Sequence, residues 1–369
     1  MNITSYNVTD VAYHYIGLRV LAANPNLKRE ELTNAVSRSV GQYVRDRALR
    51  LMLAAPRGTF ETVGEKVCQE LVHLELARSV PGSYELAGLG QHALSLLDSR
   101  RTRELRTLMV QGHLQHYDNL RYILARHIET GGFLRPIVEA ARASDMQYLE
   151  GLLRPVFASD APAKASAVVA KVQNARGSEV AKRTEDALRE EILEELLPQR
   201  RTREPLFRAL ADRMNSLRLI NIARYRSGDQ EFVQTYATCL LELNPESDPL
   251  APWRTPLQTL PVGASNTIWL CEPDTRNREF LTVIRDYIDE SFKHLSPEGG
   301  YYDLPDVRDF VGRKLRLPEA AFDEALNSIL DLPPVPFSLG LQYERISGRR
   351  RPLQRTRDTV QIFNLIRRH

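Results

Sequence analysis

Three histidines and a run of arginines are the residues of this sequence whose types and spacing suggest chemistry. His113 and His116 stand three apart in a helical segment, with His127 further on, and that spacing can bring imidazoles to one helix face as metal ligands. A metal would also need a third ligand and groups to orient the rings, and no cysteine or carboxylate pairing nearby is distinctive. Arg121 and His127 fit the arginine-spacer-histidine arrangement of helical nucleases, in which arginine positions a phosphate and histidine moves a proton. Two common residues at a loose spacing also arise by chance. No G-x-x-x-x-G-K-[ST] loop is present, and Gly88-Leu89-Gly90 lacks a third glycine and a βαβ setting. The expectation is a non-enzymatic protein with no catalytic residue, no cofactor and no metal.

The arginines give a stronger signal. From Gln342 to His369 there are eight of them, at 345, 349, 350, 351, 355, 357, 367 and 368, against Glu344 and Asp358. This tail carries +6, so the rest of the chain sums to −3 against a total of +3. A compact basic terminus on a mildly acidic body is an electrostatic footprint for a polyanion, and a solvated arginine-rich tail is the plainer alternative. Arg345, Arg349, Arg350, Arg351, Arg355 and Arg357 are the candidate phosphate contacts there. Gly348 permits a tight turn among them and Pro352 stiffens its tip.

Elements must position these groups, and the sequence predicts mostly helices. Val11, Tyr15, Leu18 and Leu21 mark a first helix over about 8–23, stopped at Asn24-Pro25-Asn26. A short second helix at KREELTNAV and a third at SVGQYVRDRALRLMLAAP follow. Thr59 is placed to cap a fourth, whose stripe is Val63, Val67, Leu71 and Leu74. ARSV and SYELA then read as two short strands around Pro81-Gly82, and GLGQHALSLLD as a closing helix.

That run, over about residues 8 to 98, resembles the winged helix-turn-helix superfamily. The resemblance rests on an apolar helix leading into P-G-x-Y-x-L, a small residue, L-G and x-x-A-L. The helix at 39–54 is an addition that a minimal winged helix does not need. The resemblance implies a recognition helix and a wing, with Thr59, Lys66 and Arg78 as candidate nucleic-acid contacts. Such domains also dimerise or clasp other subunits, as in condensin-type kleisins and their partners.

Beyond Arg100 no strand alternation stands out, and the stretch to 243 reads as an all-helical middle. NPESDPLAPWRTPLQTLPVG is proline-rich and reads as a linker over 244–263. After it the helices 279–295, 304–315 and 317–330 precede two strand-like runs, PFSLGLQYERI and DTVQIFNLI, flanking SGRRRPLQRTR. This is again a winged-helix order, with an arginine-loaded wing between strands near 337–346 and 357–364. The expected fold is mainly α: winged-helix domains at 1–99 and 264–369, with small two-stranded wings, flanking a helical middle at 100–243.

Both proposed recognition helices are acidic, with Glu61, Glu65 and Glu70 against Lys66 in one and Glu319, Asp323 and Glu324 in the other. Such helices read a major groove poorly, so binding is expected through wing arginines and helix termini, with low sequence specificity. The leading expectation is a DNA-associated subunit of a larger complex, with protein partners or a homodimer. The alternatives are an interaction adaptor without DNA contact and a ligand-responsive transcriptional regulator. Cys68, Cys239 and Cys271 are odd in number and far apart, which fits buried thiols. No segment approaches 18 uninterrupted apolar residues, and MNITSYNVTD lacks the start of a secretory signal. A cytoplasmic location without membrane contact is expected.

Overall fold

The computed structural model describes residues 8, 10–50, 60, 62–117, 120, 124, 127, 133–136, 210–227, 230–238, 250–262, 266–297, 300–332, 337–340, 353–356, 360–363 and 365–368. Helix α1 (Ala12–Ala23) ends at Asn24, before Pro25. The expected second and third helices are one element, α2 (Arg29–Arg50). Ser39 and Gly41 do not break it, because Val36, Val40 and Gly41 lie buried along one line and packing outweighs their weak propensities. Helix α3 (Val63–His73) follows, then β1 (Ala77–Val80), β2 (Ser83–Leu86) and α4 (Gly88–Asp98). Strands β1 and β2 form an antiparallel hairpin with Val80 opposite Ser83, and Gly82 takes the left-handed φ of +76° that the turn requires.

Helix α5 (Thr102–His116) follows, and beyond it the all-helical expectation fails. Strands β3 (Phe133–Pro136), β4 (Ile220–Ser227) and β5 (Gln230–Ala237) form an antiparallel sheet in the order β3-β5-β4. Only Gly228 and Asp229 separate the paired residues Ser227 and Gln230, the spacing of a tight hairpin. The expected helix over 163–197 lies outside the described residues.

The proline-rich stretch is not wholly a linker. Strand β6 (Arg254–Val262) pairs with β7 (Asn266–Pro273). A two-stranded ribbon consists of edges, so Pro256 and Pro261 are tolerated, with a register shift beside Pro256.

Three helices come next, α6 (Arg278–His294), α7 (Leu304–Leu315) and α8 (Glu319–Leu330), with the two-residue β8 (Tyr302–Asp303) before α7. Four short strands close the chain: β9 (Phe337–Gly340), β10 (Leu353–Thr356), β11 (Val360–Phe363) and β12 (Leu365–Arg368). The expected wing pairing between 337–346 and 357–364 is replaced. Strand β9 pairs with β12, which also pairs with β8, while β10 and β11 form their own hairpin. The fold is mainly helical with small sheets, and among the described residues no helix is long and apolar enough to cross a membrane.

Two apolar cores organise these elements. The first runs through α1 to α5 and on to residues 210–237, and the second joins Leu250, α6, α7 and α8 to Phe337 and Ile366. They meet where Asn221 Nδ2 donates to the Leu317 carbonyl at 3.2 Å, with the Tyr236 hydroxyl bonded to both groups.

Candidate functional site

Helix α3 is set into the fold by its glycine and its apolar stripe. Gly64 passes α2 so closely that its amide donates to Ser37 Oγ at 2.9 Å, and Val63, Val67, Cys68 and Leu71 are buried. Burial pushes the Cys68 thiol up to about 12, with Arg29 opposing it. The other face carries Glu65, Lys66 and Gln69, joined as Gln69 Nε2 donating to Glu65 at 2.9 Å and Lys66 Nζ to Gln69 at 3.2 Å. The helix closes with Leu76 N donating to the Leu71 carbonyl, with Glu75 at φ 59°.

The hairpin is pinned to the start of α2. Arg29 N donates to the Gly82 carbonyl at 2.8 Å, Ser83 Oγ to the Leu27 carbonyl at 2.7 Å, and Arg29 Nη2 to Ser79 Oγ at 2.6 Å. The Arg29 guanidinium also lies 4.7 Å from the centre of the buried Tyr84 ring. Arg78 stands opposite Glu85 and donates to its Oε2 from Nε at 3.0 Å and Nη2 at 2.7 Å. The exposed pair Arg78–Glu85 leaves the hairpin little net charge. Among the described residues, Lys28, Arg29, Arg38 and Arg45 are exposed cations of α2 and its entry for which no carboxylate lies within ion-pair distance.

The structure thus brings Arg78 to an exposed position on the hairpin and leaves Lys66 half-buried on the outer face of α3. Thr59 lies outside the described residues, and Thr62 at the N-cap of α3 makes no capping hydrogen bond. Arg345, Arg349, Arg350, Arg351 and Arg357 also lie outside them. Arg355 belongs to β10, opposite Gln361 in β11, not to a loop.

On the two helices expected to be recognition helices, Glu70 and Asp323 are buried and paired, while Glu65 and Glu324 are exposed. Glu70 is 6% exposed and accepts from Arg213 Nη1 at 2.7 Å and His14 Nε2 at 2.9 Å. Asp323 accepts from the buried Arg308 Nε at 2.8 Å, and Arg308 Nη1 reaches Glu319 at 3.4 Å. Glu324 accepts from Arg218 at 3.3 Å. The described outer face of α3 therefore carries one acid and one base, which removes the argument that it repels phosphate.

Sequence reasoning missed the cluster around Glu70. Arg213 is fully buried and also donates through Nε to the Val8 carbonyl at 2.8 Å, while Nη2 contacts both Val8 O and Glu70. Burial alone would raise the Glu70 carboxyl, but the Arg213 charge and the His14 hydrogen bond outweigh it and hold it at about 2. The signal was present in part. Glu70 stands three after Val67 and four before Leu74, on the apolar stripe, and His14 stands three after Val11 and four before Leu18.

The histidines singled out as possible ligands have separate partners. His113 Nδ1 donates to the Met109 carbonyl at 2.7 Å, and His127 Nε2 meets Thr235 Oγ1 at 3.0 Å. His116 lies 4.0 Å from Glu75. Among the described residues no group of three histidine, cysteine or acidic side chains is placed to hold a metal. One open groove of about 710 Å³ lies along α4 and α5, lined by residues including Leu74, Glu75, Leu89, His92, Leu108 and His116. Leu89 is 42% exposed there. Comparison of the chain with protein-family models, curated proteins and solved structures found no match in any of the three.

Proposed function

We propose that this chain is a non-enzymatic, DNA-associated protein that engages the duplex backbone with low sequence specificity and works as a subunit of a larger assembly in the cytoplasm. In this reading residues 1–99 form a winged-helix domain and 264–369 a second, wing-like one. The observation that carries it is the order helix, helix, helix, hairpin, helix over residues 12–98, with the hairpin tied to α2 beside Lys28 and Arg29, which have no carboxylate partner among the described residues. The +6 tail adds a second cationic segment. Backbone binding needs cations that are not already neutralised, and base reading needs side chains that fit a groove edge. The outward Glu65, Lys66 and Gln69, already bonded to one another, are poorly suited to reading a groove edge, and their charges cancel.

Binding of the full chain to two duplexes of unrelated sequence, across a salt series, tests the reading. Equal affinities with a steep salt slope support it, and no binding at low salt rejects it. The groove beside the exposed Leu89 favours a second reading, an adaptor that docks proteins without touching DNA. Loss of a co-purifying partner on Leu89→Arg, with no DNA binding by the parent chain, would select that reading.

A further inference from the structure

Four of the chain's eight histidines are linked in one line of ring contacts through Tyr117. His14 on α1 meets His113 on α5 with ring centres 5.1 Å apart, and His113 meets Tyr117 at 5.8 Å. Tyr117 meets His73 on α3 at 4.9 Å, and His73 meets His116 at 5.5 Å. The line starts at a fully buried His14 and ends at His116 on the α4–α5 groove. It crosses the junction of α1, α3, α5 and the helical residues 210–216 that carry Arg213.

The partner of His113 fixes which of its ring nitrogens carries a hydrogen. A carbonyl only accepts, so His113 Nδ1 facing Met109 O carries the hydrogen, and its buried Nε2 has no donor among the described residues. The carboxylate of Glu70 takes the hydrogen of His14 Nε2, and the buried His14 Nδ1 has no hydrogen-bond partner among the described residues. Facing His113 are His14 from α1, Glu70 from α3, Arg213 from 210–216, Tyr117 and His116 on its own helix and, across Tyr117, His73. The one carboxylate in this set is already held by Arg213 and His14. A second positive charge at His113 would have no acid left to answer it.

We propose that this histidine line is a proton-operated latch, closed while His113 is neutral and opened when His113 takes up a proton, which releases α5 and residues 210–217 from α1 and α3. Burial first, then the neighbouring His14 and Arg213, keep the closed-state His113 well below its ordinary value. The closed state therefore binds fewer protons than the open one, and its stability is full above about pH 6.5 and declines as the pH falls from there. One proton taken up only on opening makes opening about tenfold easier per pH unit.

Hydrogen exchange of the full chain, corrected for the pH dependence of intrinsic exchange, tests this. Protection of amides in 105–117 and 210–217 is expected to fall about tenfold per unit below about pH 6.5, while α6 to α8 hold theirs. His113→Gln keeps a donor for Met109 O and should flatten that dependence. A flat profile in the unaltered chain, or the same fall in His113→Gln, would overturn the latch. Should that variant not fold, the His113 ring resonance of the unaltered chain decides. Titration of that ring at an ordinary histidine pH with protection intact overturns the latch, and a ring that stays neutral until protection is lost supports it.

Discussion

Replacing Arg213 with methionine should be among the most damaging single changes in the first core. Its guanidinium is fully buried, and it spans the Val8 carbonyl and both Glu70 oxygens. Methionine fills much of the volume but leaves the Glu70 carboxylate buried without the guanidinium that answers its charge. Breaking a buried pair from one side costs about 3–5 kcal/mol. A second estimate agrees. A carboxyl held at about 2 against an ordinary value of 4.5 contributes about 3 kcal/mol at neutral pH. The carboxyl is depressed in the folded chain, so this contribution is present above about pH 4.5 and lost as the pH falls toward 2. Urea unfolding at neutral pH reads the cost, and the same titration in acid reads its disappearance. Adding Glu70→Gln to Arg213→Met removes the orphaned charge and should recover a large part of the loss. A cost below about 1 kcal/mol for Arg213→Met, or no recovery in the double variant, would refute the reasoning.

Further outcomes follow from the packing. Leu74→Ala, at a side chain 2% exposed, should cost about 2–5 kcal/mol, whereas Leu89→Ala should change stability by less than about 0.5 kcal/mol; parallel denaturant titrations compare them. Gly64→Ala would put a Cβ 1.9 Å from the Thr33 carbonyl oxygen and 2.6 Å from Ser37 Oγ, so α2 and α3 must separate, with an expected loss of about 1–3 kcal/mol or more in the same assay. Gly90→Ala meets the Leu76 carbonyl oxygen at 1.9 Å, and its thermal transition should fall by several degrees.

The sequence was most legible where local signals agreed. Pro81-Gly82 between alternating residues located β1 and β2, and the stripe Val63, Val67, Leu71 and Leu74 located the buried face of α3. The sequence reads as two helices where α2 is one, and the burial that keeps it whole comes from packing against α1 and α3, which local propensity does not report. The strands β4 and β5 carried a usable signal, apolar Ile220 and Ile222 in alternation before Gly228-Asp229, which the surrounding helical stretches obscured. Glu70 and Arg213 are 143 residues apart, and no local rule joins them. Counting Glu70, Glu319 and Asp323 as surface charge made the two helices look more acidic than they are. Spacing along the stripe would have corrected Glu70, but the partner that neutralises it is set by tertiary packing.

In the proposed function the chain meets nucleic acid through arginines and reads no sequence. A salt titration on two duplexes of unrelated sequence, comparing the unaltered chain with a variant carrying alanine at Arg349, Arg350, Arg351 and Arg355, tests it most directly. If each guanidinium neutralises one phosphate, the slope of log K against log salt should shrink by about 3 to 4, with the same loss of affinity on both duplexes. Unchanged binding in the variant would remove these arginines from the interface, and a loss confined to one duplex would contradict the absence of sequence reading.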